Sequence, residues 1–177
     1  MLLGACTSSE QPTNLDSEVE GTSLEDFQKS LQGTWERQCS YDSANGYYKQ
    51  AIAFAGSGGG FAIVTKDFFF SDSACNFPTL DRIQSLTVFD MNANGNLYTY
   101  TATISTQTIM PRTPAMAASM TSVKACGINQ WNAGVSLDTS STSCNTMGSI
   151  SDTISMVNGN LFRALDEVKF PSVISGT

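Results

Sequence analysis

Residues 31–40, LQGTWERQCS, contain a change of period. Upstream, in SLEDFQKSLQ, apolar residues recur every three or four positions: Leu24, Phe27 and Leu31 share one face, as on a helix. Ser23 stands at the N-cap of that helix, and Asp26 occupies the acidic position of a capping box. Gly33 ends the pattern. From Trp35 onward the apolar period is two, which puts alternate side chains on opposite faces of a strand. YYKQAIAF sets Ile52 and Phe54 on one face. GFAIVTKDFFF alternates Phe61 and Ile63 with Ala62 and Val64, while RIQSLTVFDM and NLYTYTATI continue the same grammar.

Turn chemistry separates these runs. Asn94-Gly95 lies between Phe89 and Tyr98, and Asn158-Gly159 between Ile154 and Phe162. Both residue types tolerate positive φ, so each pair suits a two-residue hairpin loop. AGSGGG at 55–60 reads as a further bend; it lacks the Lys-Ser/Thr ending and the following helix of a phosphate loop. TQTIMPRTPAMAASM at 106–120 carries Pro111 and Pro114, which are foreign to a central strand, and reads as a long loop. The expectation is a mainly β protein: one short N-terminal helix, then about eight strands in an antiparallel meander. Such a meander closes into a barrel, with a β-sandwich as the alternative. No internal repeat and no long apolar span interrupts it.

The 177 residues suffice for one domain with a sizeable core. Sixteen acids against nine bases give a net charge of −7, without a basic run. That balance offers no footprint for nucleic-acid phosphates, so no nucleic-acid partner is expected. Charged residues are only 14%, and small polar residues abound, a balance closer to exported β proteins than to cytosolic helical ones.

The five cysteines refine this reading. Leu3-Gly4-Ala5-Cys6 matches the box that ends a bacterial lipoprotein signal. By that resemblance Cys6 carries diacylglycerol, and cleavage precedes it. Several acyl chains anchor stably, at about 0.8 kcal/mol per buried methylene. Five residues are too few for a charged and an apolar signal region, so the true start is expected to lie upstream. Residues 6–22 are polar and acidic and read as a flexible tether, leaving 1–5 as a signal remnant. Thr7, where an inner-membrane lipoprotein would carry Asp, implies outer-membrane sorting within that class. The domain then spans 23–170, and 171–177 is a C-terminal tail.

Cys39, Cys75, Cys126 and Cys144 remain. An even set in an exported chain favours disulfides. Of three possible connectivities, Cys39–Cys75 with Cys126–Cys144 is expected, because each pair brackets adjacent hairpins. A zinc site has neither a Cys-x-x-Cys pair nor a histidine to build on.

A short helix followed by Gly33-x-Trp35 at the first strand resembles the start of lipocalins and related calycin barrels. Cys39, DSAC at 72–75 and CGINQW at 126–131 are similar to bacterial lipocalin-like lipoproteins. The resemblance implies a helix closing one barrel end, with Trp35 on the floor beneath it. It also implies an arginine of the last strand, here Arg163, lying over the indole within about 6 Å. A small apolar ligand would then lie against Phe54, Phe61, Ile63, Tyr98, Met110 and Met116. The 106–120 segment would border the mouth.

Other features have plainer explanations. Phe68, Phe69 and Phe70 cannot all face inward on one strand. Met110, Met116 and Met120 suit a pliable cover over an apolar cavity; as a Cu(I) site they lack His or Cys support. With no histidine the usual general base is missing, and no other constellation converges, so no catalytic residue, cofactor or metal is expected. Two readings remain open: an anchored barrel that holds a small apolar molecule, and an interaction protein whose barrel is filled by its own side chains.

Overall fold

The computed structural model describes residues 23–56, 61–94, 97–145, 148–157, 160–165 and 172–176. Helix α1 (Leu24–Leu31) starts as expected: the Ser23 hydroxyl accepts from Asp26 N at 3.1 Å and donates to the Asp26 carboxylate at 2.7 Å. Phe27 and Leu31 face the core. Gly33, at φ +118°, then turns the chain into β1 (Gly33–Asp42), a conformation that strains any side-chain-bearing residue.

Strands β2 (Gly46–Ala55), β3 (Phe61–Phe70), β4 (Pro78–Asn94) and β5 (Leu97–Pro111) follow, each antiparallel to the one before. After helix α2 (Pro114–Ser122) and a two-residue strand β6 (Leu137–Asp138), the sheet resumes with β7 (Ile150–Val157), β8 (Asn160–Leu165) and β9 (Ser172–Gly176). β5 pairs with β7, and β9 returns to β1 through Trp35↔Gly176 and Glu36↔Ser175. With β4–β5 also paired, eight antiparallel strands form a nearly closed meander barrel rather than two stacked sheets. β6 is an outlier, attached only to the upper part of β5.

Three expectations change. Residues 106–120 are not a loop: β5 runs to Pro111, and α2 begins at Pro114. Both prolines occupy permitted positions. Pro111 is the last residue of its strand, opposite Leu80, and Pro114 opens the helix, where its missing N–H is not needed. Thr113 caps that helix, accepting from Met116 N at 3.2 Å. Residues 172–176 are no tail but the strand that closes the ring. Finally, Asn94 pairs with Leu97, which leaves Gly95 and Asn96 rather than Asn94-Gly95 between the strands. The β7–β8 register, Val157↔Asn160, leaves Asn158-Gly159 between strands as expected; both of these two-residue connections lie outside the described residues. So do 57–60, Cys6 and the rest of the segment before Ser23.

Among the described residues two apolar cores result. The larger lies inside the barrel under α1 and includes Trp35, Ile52, Phe54, Phe61, Ile63, Leu86, Tyr98, Ile154 and Leu161. The smaller one joins Ile109 of β5 to Ala117 and Met120 of α2, Cys126 and Trp131. Cys39–Cys75 and Cys126–Cys144 are both disulfides. By loop entropy they stabilise by about 4 and about 3 kcal/mol respectively. Two disulfides indicate an oxidising, extracytoplasmic environment.

Candidate binding site at the open end of the barrel

The interior is layered, and the layers follow from the strand period. Along each strand, the residues in phase with the buried apolar positions become polar toward the end remote from α1. On β2 the inward row passes from Phe54 and Ile52 to Gln50. On β3 it passes from Phe61 and Ile63 to Thr65 and Asp67; on β4, from Val88 and Leu86 to Gln84 and Arg82. On β7 and β8 the buried Ile154 and Leu161 give way to Asp152 and Arg163.

These groups form one hydrogen-bonded chain across the barrel. The Tyr100 hydroxyl donates to Asp152 Oδ2 at 3.2 Å, and Arg163 Nε donates to the same oxygen. Arg163 Nη1 donates to Gln50 Oε1 at 3.2 Å, and Gln50 Nε2 to Asp67 Oδ1 at 2.7 Å. Arg82 completes the chain, with Nε and Nη2 donating to Asp67 Oδ2 at 3.0 and 2.9 Å. A second branch runs from Thr65 through Gln84 and Gln107 to Thr139. Two carboxylates thus meet two guanidiniums, which is how charge is accommodated in a low-dielectric interior. Burial pushes the Asp152 carboxyl above the usual range, against the opposing pull of Arg163, the Thr153 N–H and Tyr100. Burial likewise pushes the Tyr100 hydroxyl well up.

Beyond this polar layer lies a cavity of about 490 Å³ at the open end. Arg82 and Phe69 form its floor; Phe70, Leu80, Ile109 and Met116 supply apolar wall, and Asn45, Ser71 and Thr79 lie among its lining. The turn carrying Asn45 is held by Asp42, whose Oδ1 accepts from the N–H groups of Ala44 and Asn45 at 2.8 and 3.0 Å. The β3–β4 register shifts here, with Thr79 the extra residue on β4, and both Phe69 and Phe70 line the cavity. Arg82 lies over the Phe69 ring at 5.6 Å. Tyr48 neighbours Phe69 at 6.4 Å, and Arg37 lies over Tyr48 at 5.0 Å while donating to its hydroxyl. Two adjacent rings are thus flanked by a cation on either side across four strands near the open end.

The residues singled out from sequence are distributed as follows. Trp35 is buried under α1 and donates from Nε1 to Leu31 O at 2.8 Å. Arg163 does not join it: among the described residues no cation–π contact links the two, and the guanidinium bonds Asp152 and Gln50 instead. Asp152 stands two residues from Ile154, the strand partner of Arg163, on the same inward face. A carboxylate at that distance outweighs an indole face in a dry interior. Phe54, Phe61, Ile63 and Tyr98 belong to the packed core, Tyr98 stacking on Phe27. Phe61 also borders a smaller cavity of about 170 Å³ beside α1, with Leu24, Gln28 and Met91. Of the two methionines expected near a ligand, Met116 lines the larger cavity and Met110 does not.

Sequence reasoning missed Arg82, Asp67, Gln50 and Asp152. The available signal was phase: each falls on the inward register that the apolar residues nearer α1 establish on the same strand or its neighbours. Among the described residues no cluster of three His, Cys, Asp or Glu side chains is disposed to hold a metal, and no helix is long and apolar enough to cross a membrane.

A nearly closed eight-stranded meander barrel with a helix at one end is consistent with a calycin-like fold. No family model matches the chain, and no curated protein matches it.

Proposed function

We propose that the protein is a non-catalytic binding module of the bacterial cell envelope, anchored by lipid at Cys6, that holds a small apolar molecule at its open end. The observation that carries this reading is the cavity of about 490 Å³, walled by Phe70, Leu80, Ile109 and Met116. Small-molecule sites typically occupy about 300–1,000 Å³ and are mainly apolar with a few fixed polar groups. Here Arg82, braced from below by Asp67, is the fixed polar group. The deep interior is a poor seat for a ligand, since it is filled by the apolar core and the polar chain above it.

Anchoring rests on Leu3-Gly4-Ala5-Cys6 and the polar stretch behind it, and the two disulfides agree with export. Outer-membrane sorting rests on Thr7. Expressed behind a complete signal peptide, the protein should incorporate labelled palmitate, and Cys6→Ser should release it from membranes. Membrane retention of that variant would refute the anchor.

The filled interior favours a second reading, in which the barrel is a rigid support whose loops contact a protein partner. Native mass spectrometry of the protein released gently from membranes separates the two. A co-purified apolar molecule supports binding, and a bare polypeptide mass with no uptake of added lipid supports the scaffold.

A further inference from the structure

The cavity is apolar along its walls and cationic at its floor, and this asymmetry has a chemical meaning. Arg82 is rooted in the interior: its Nε and Nη2 are both bonded to Asp67, whose side chain is only 4% exposed and is itself held by Gln50. The Arg82 side chain nevertheless remains 36% exposed and lines the cavity. Nε and Nη2 both donate to Asp67, so among the described hydrogen bonds Nη1 of this cavity-lining residue is left as a donor of the kind that suits a carboxylate or phosphate oxygen.

The surrounding charges favour an anion at that point. Of the carboxylates in the polar layer, Asp67 is offset by Arg82 and Asp152 by Arg163. Arg37, farther along the same wall behind Tyr48, forms no ion pair among the described residues and adds an uncompensated positive charge. Of the other carboxylates near the open end among the described residues, Asp81 pairs with Arg112, and Asp42 and Asp72 are turned into their own loops. Asp42 accepts from Ala44 and Asn45, and Asp72 from the N–H groups of Asn76 and Phe77 at 3.0 and 2.9 Å.

We propose that the open-end cavity selects an amphipath bearing one anionic headgroup, a carboxylate or a phosphate ester. Arg82 holds the headgroup, and the alkyl chain lies against Phe70, Leu80, Ile109 and Met116. This rests on the reading of the cavity as a ligand site and adds to it the charge of the ligand.

The test uses the full, oxidised chain and four probes with the same twelve-carbon tail: dodecanoate, dodecyl phosphate, dodecanol and dodecyltrimethylammonium. Binding is followed by calorimetry below micelle formation. The expected result is that at least one anionic probe binds about tenfold or more tightly than dodecanol, with the ammonium probe weakest. That preference should shrink as salt rises. The ratio of dodecanoate to dodecyl phosphate then says which headgroup is the better fit. Arg82→Gln should abolish the preference while keeping dodecanol binding; if it fails to fold, Arg82→Lys keeps the charge beside Asp67 and should weaken the preference by removing the fork. Met116→Trp, which fills the cavity, should weaken all probes together. Equal binding of dodecanol and the anions, with Met116→Trp still weakening both, overturns the headgroup proposal and leaves the cavity as a ligand site. Failure of all four probes overturns both.

Discussion

Replacing Asp152 by Asn isolates what the buried charge chain contributes. The Arg163 side chain is 6% exposed and that of Asp152 is wholly buried. Asn keeps the shape but leaves the guanidinium without its carboxylate, and breaking a buried pair from one side costs about 3–5 kcal/mol. Arg163→Met makes the converse break, but Asp152 then retains Tyr100 and the Thr153 N–H and can take up a proton. Its carboxyl already lies above the usual range through burial, so losing Arg163 raises it further. In that variant the proton held by the folded form adds stability that is lost as pH rises through the folded-state value. The penalty of Arg163→Met therefore shrinks on acidification, whereas that of Asp152→Asn does not, because arginine stays charged. The double variant Asp152→Leu/Arg163→Met removes both charges. It should cost only about 1–3 kcal/mol, for the partners lost by Gln50 Oε1 and the Tyr100 hydroxyl. Urea unfolding of the oxidised protein reads these values: a loss of about 4 kcal/mol moves the midpoint by about 2 M at a slope of about 2 kcal/mol/M. Single variants that each cost under about 1 kcal/mol, or a double variant whose cost is their sum, would refute the idea that these charges stabilise only as a pair.

Trp35→Ala should cost about 3–5 kcal/mol, because it empties the volume under α1. Trp35→Phe should cost about 1–2 kcal/mol, mostly the bond to Leu31 O, and equal losses for the two variants would contradict the packing seen there. Non-reducing peptide mapping should recover Cys39 with Cys75 and Cys126 with Cys144. A Cys39–Cys144 peptide would contradict the topology. In an alkaline titration the Tyr100 tyrosinate absorbance should be withheld until the protein unfolds, since burial raises Tyr100. A group raised in the folded state costs stability as pH climbs past its ordinary value, so Tyr100→Phe should flatten that alkaline decline. An unchanged slope would tell against the assignment.

Much of the architecture was legible because it depends on local period and turn chemistry. Gly33 and Trp35 mark the switch from helix to strand, the alternation in 61–64 fixes an inward face, and the cysteines bracket the hairpins they join. What escaped depends on partners distant in sequence. SVIS at 172–175 is a short apolar run after a proline, and only pairing with both β8 and β1 makes it a strand. Pro111 and Pro114 argue against a strand interior, yet each fits an element's end, which composition alone does not locate. The polar layer was hidden differently. Asp67 and Arg82 look like surface residues until the register places them on the inward face, and Arg163 is drawn to Asp152 rather than Trp35 by a residue on another strand.

The seam between β9 and β1 also governs when the molecule can fold. Trp35 and Glu36 pair with Ile52 and Ala51 of β2 on one side, but on the other side they meet only Gly176 and Ser175 of β9, so the ring stays open until almost the last described residue is available. An emerging chain can form the early hairpins, but without β9 one side of the barrel wall is missing. Contacts that close so long a loop are formed slowly. Until β9 is available, a polypeptide built this way remains unclosed and threadable. That order of events suits a protein whose disulfides form on the far side of a membrane, where the two halves of the wall and the oxidant meet together.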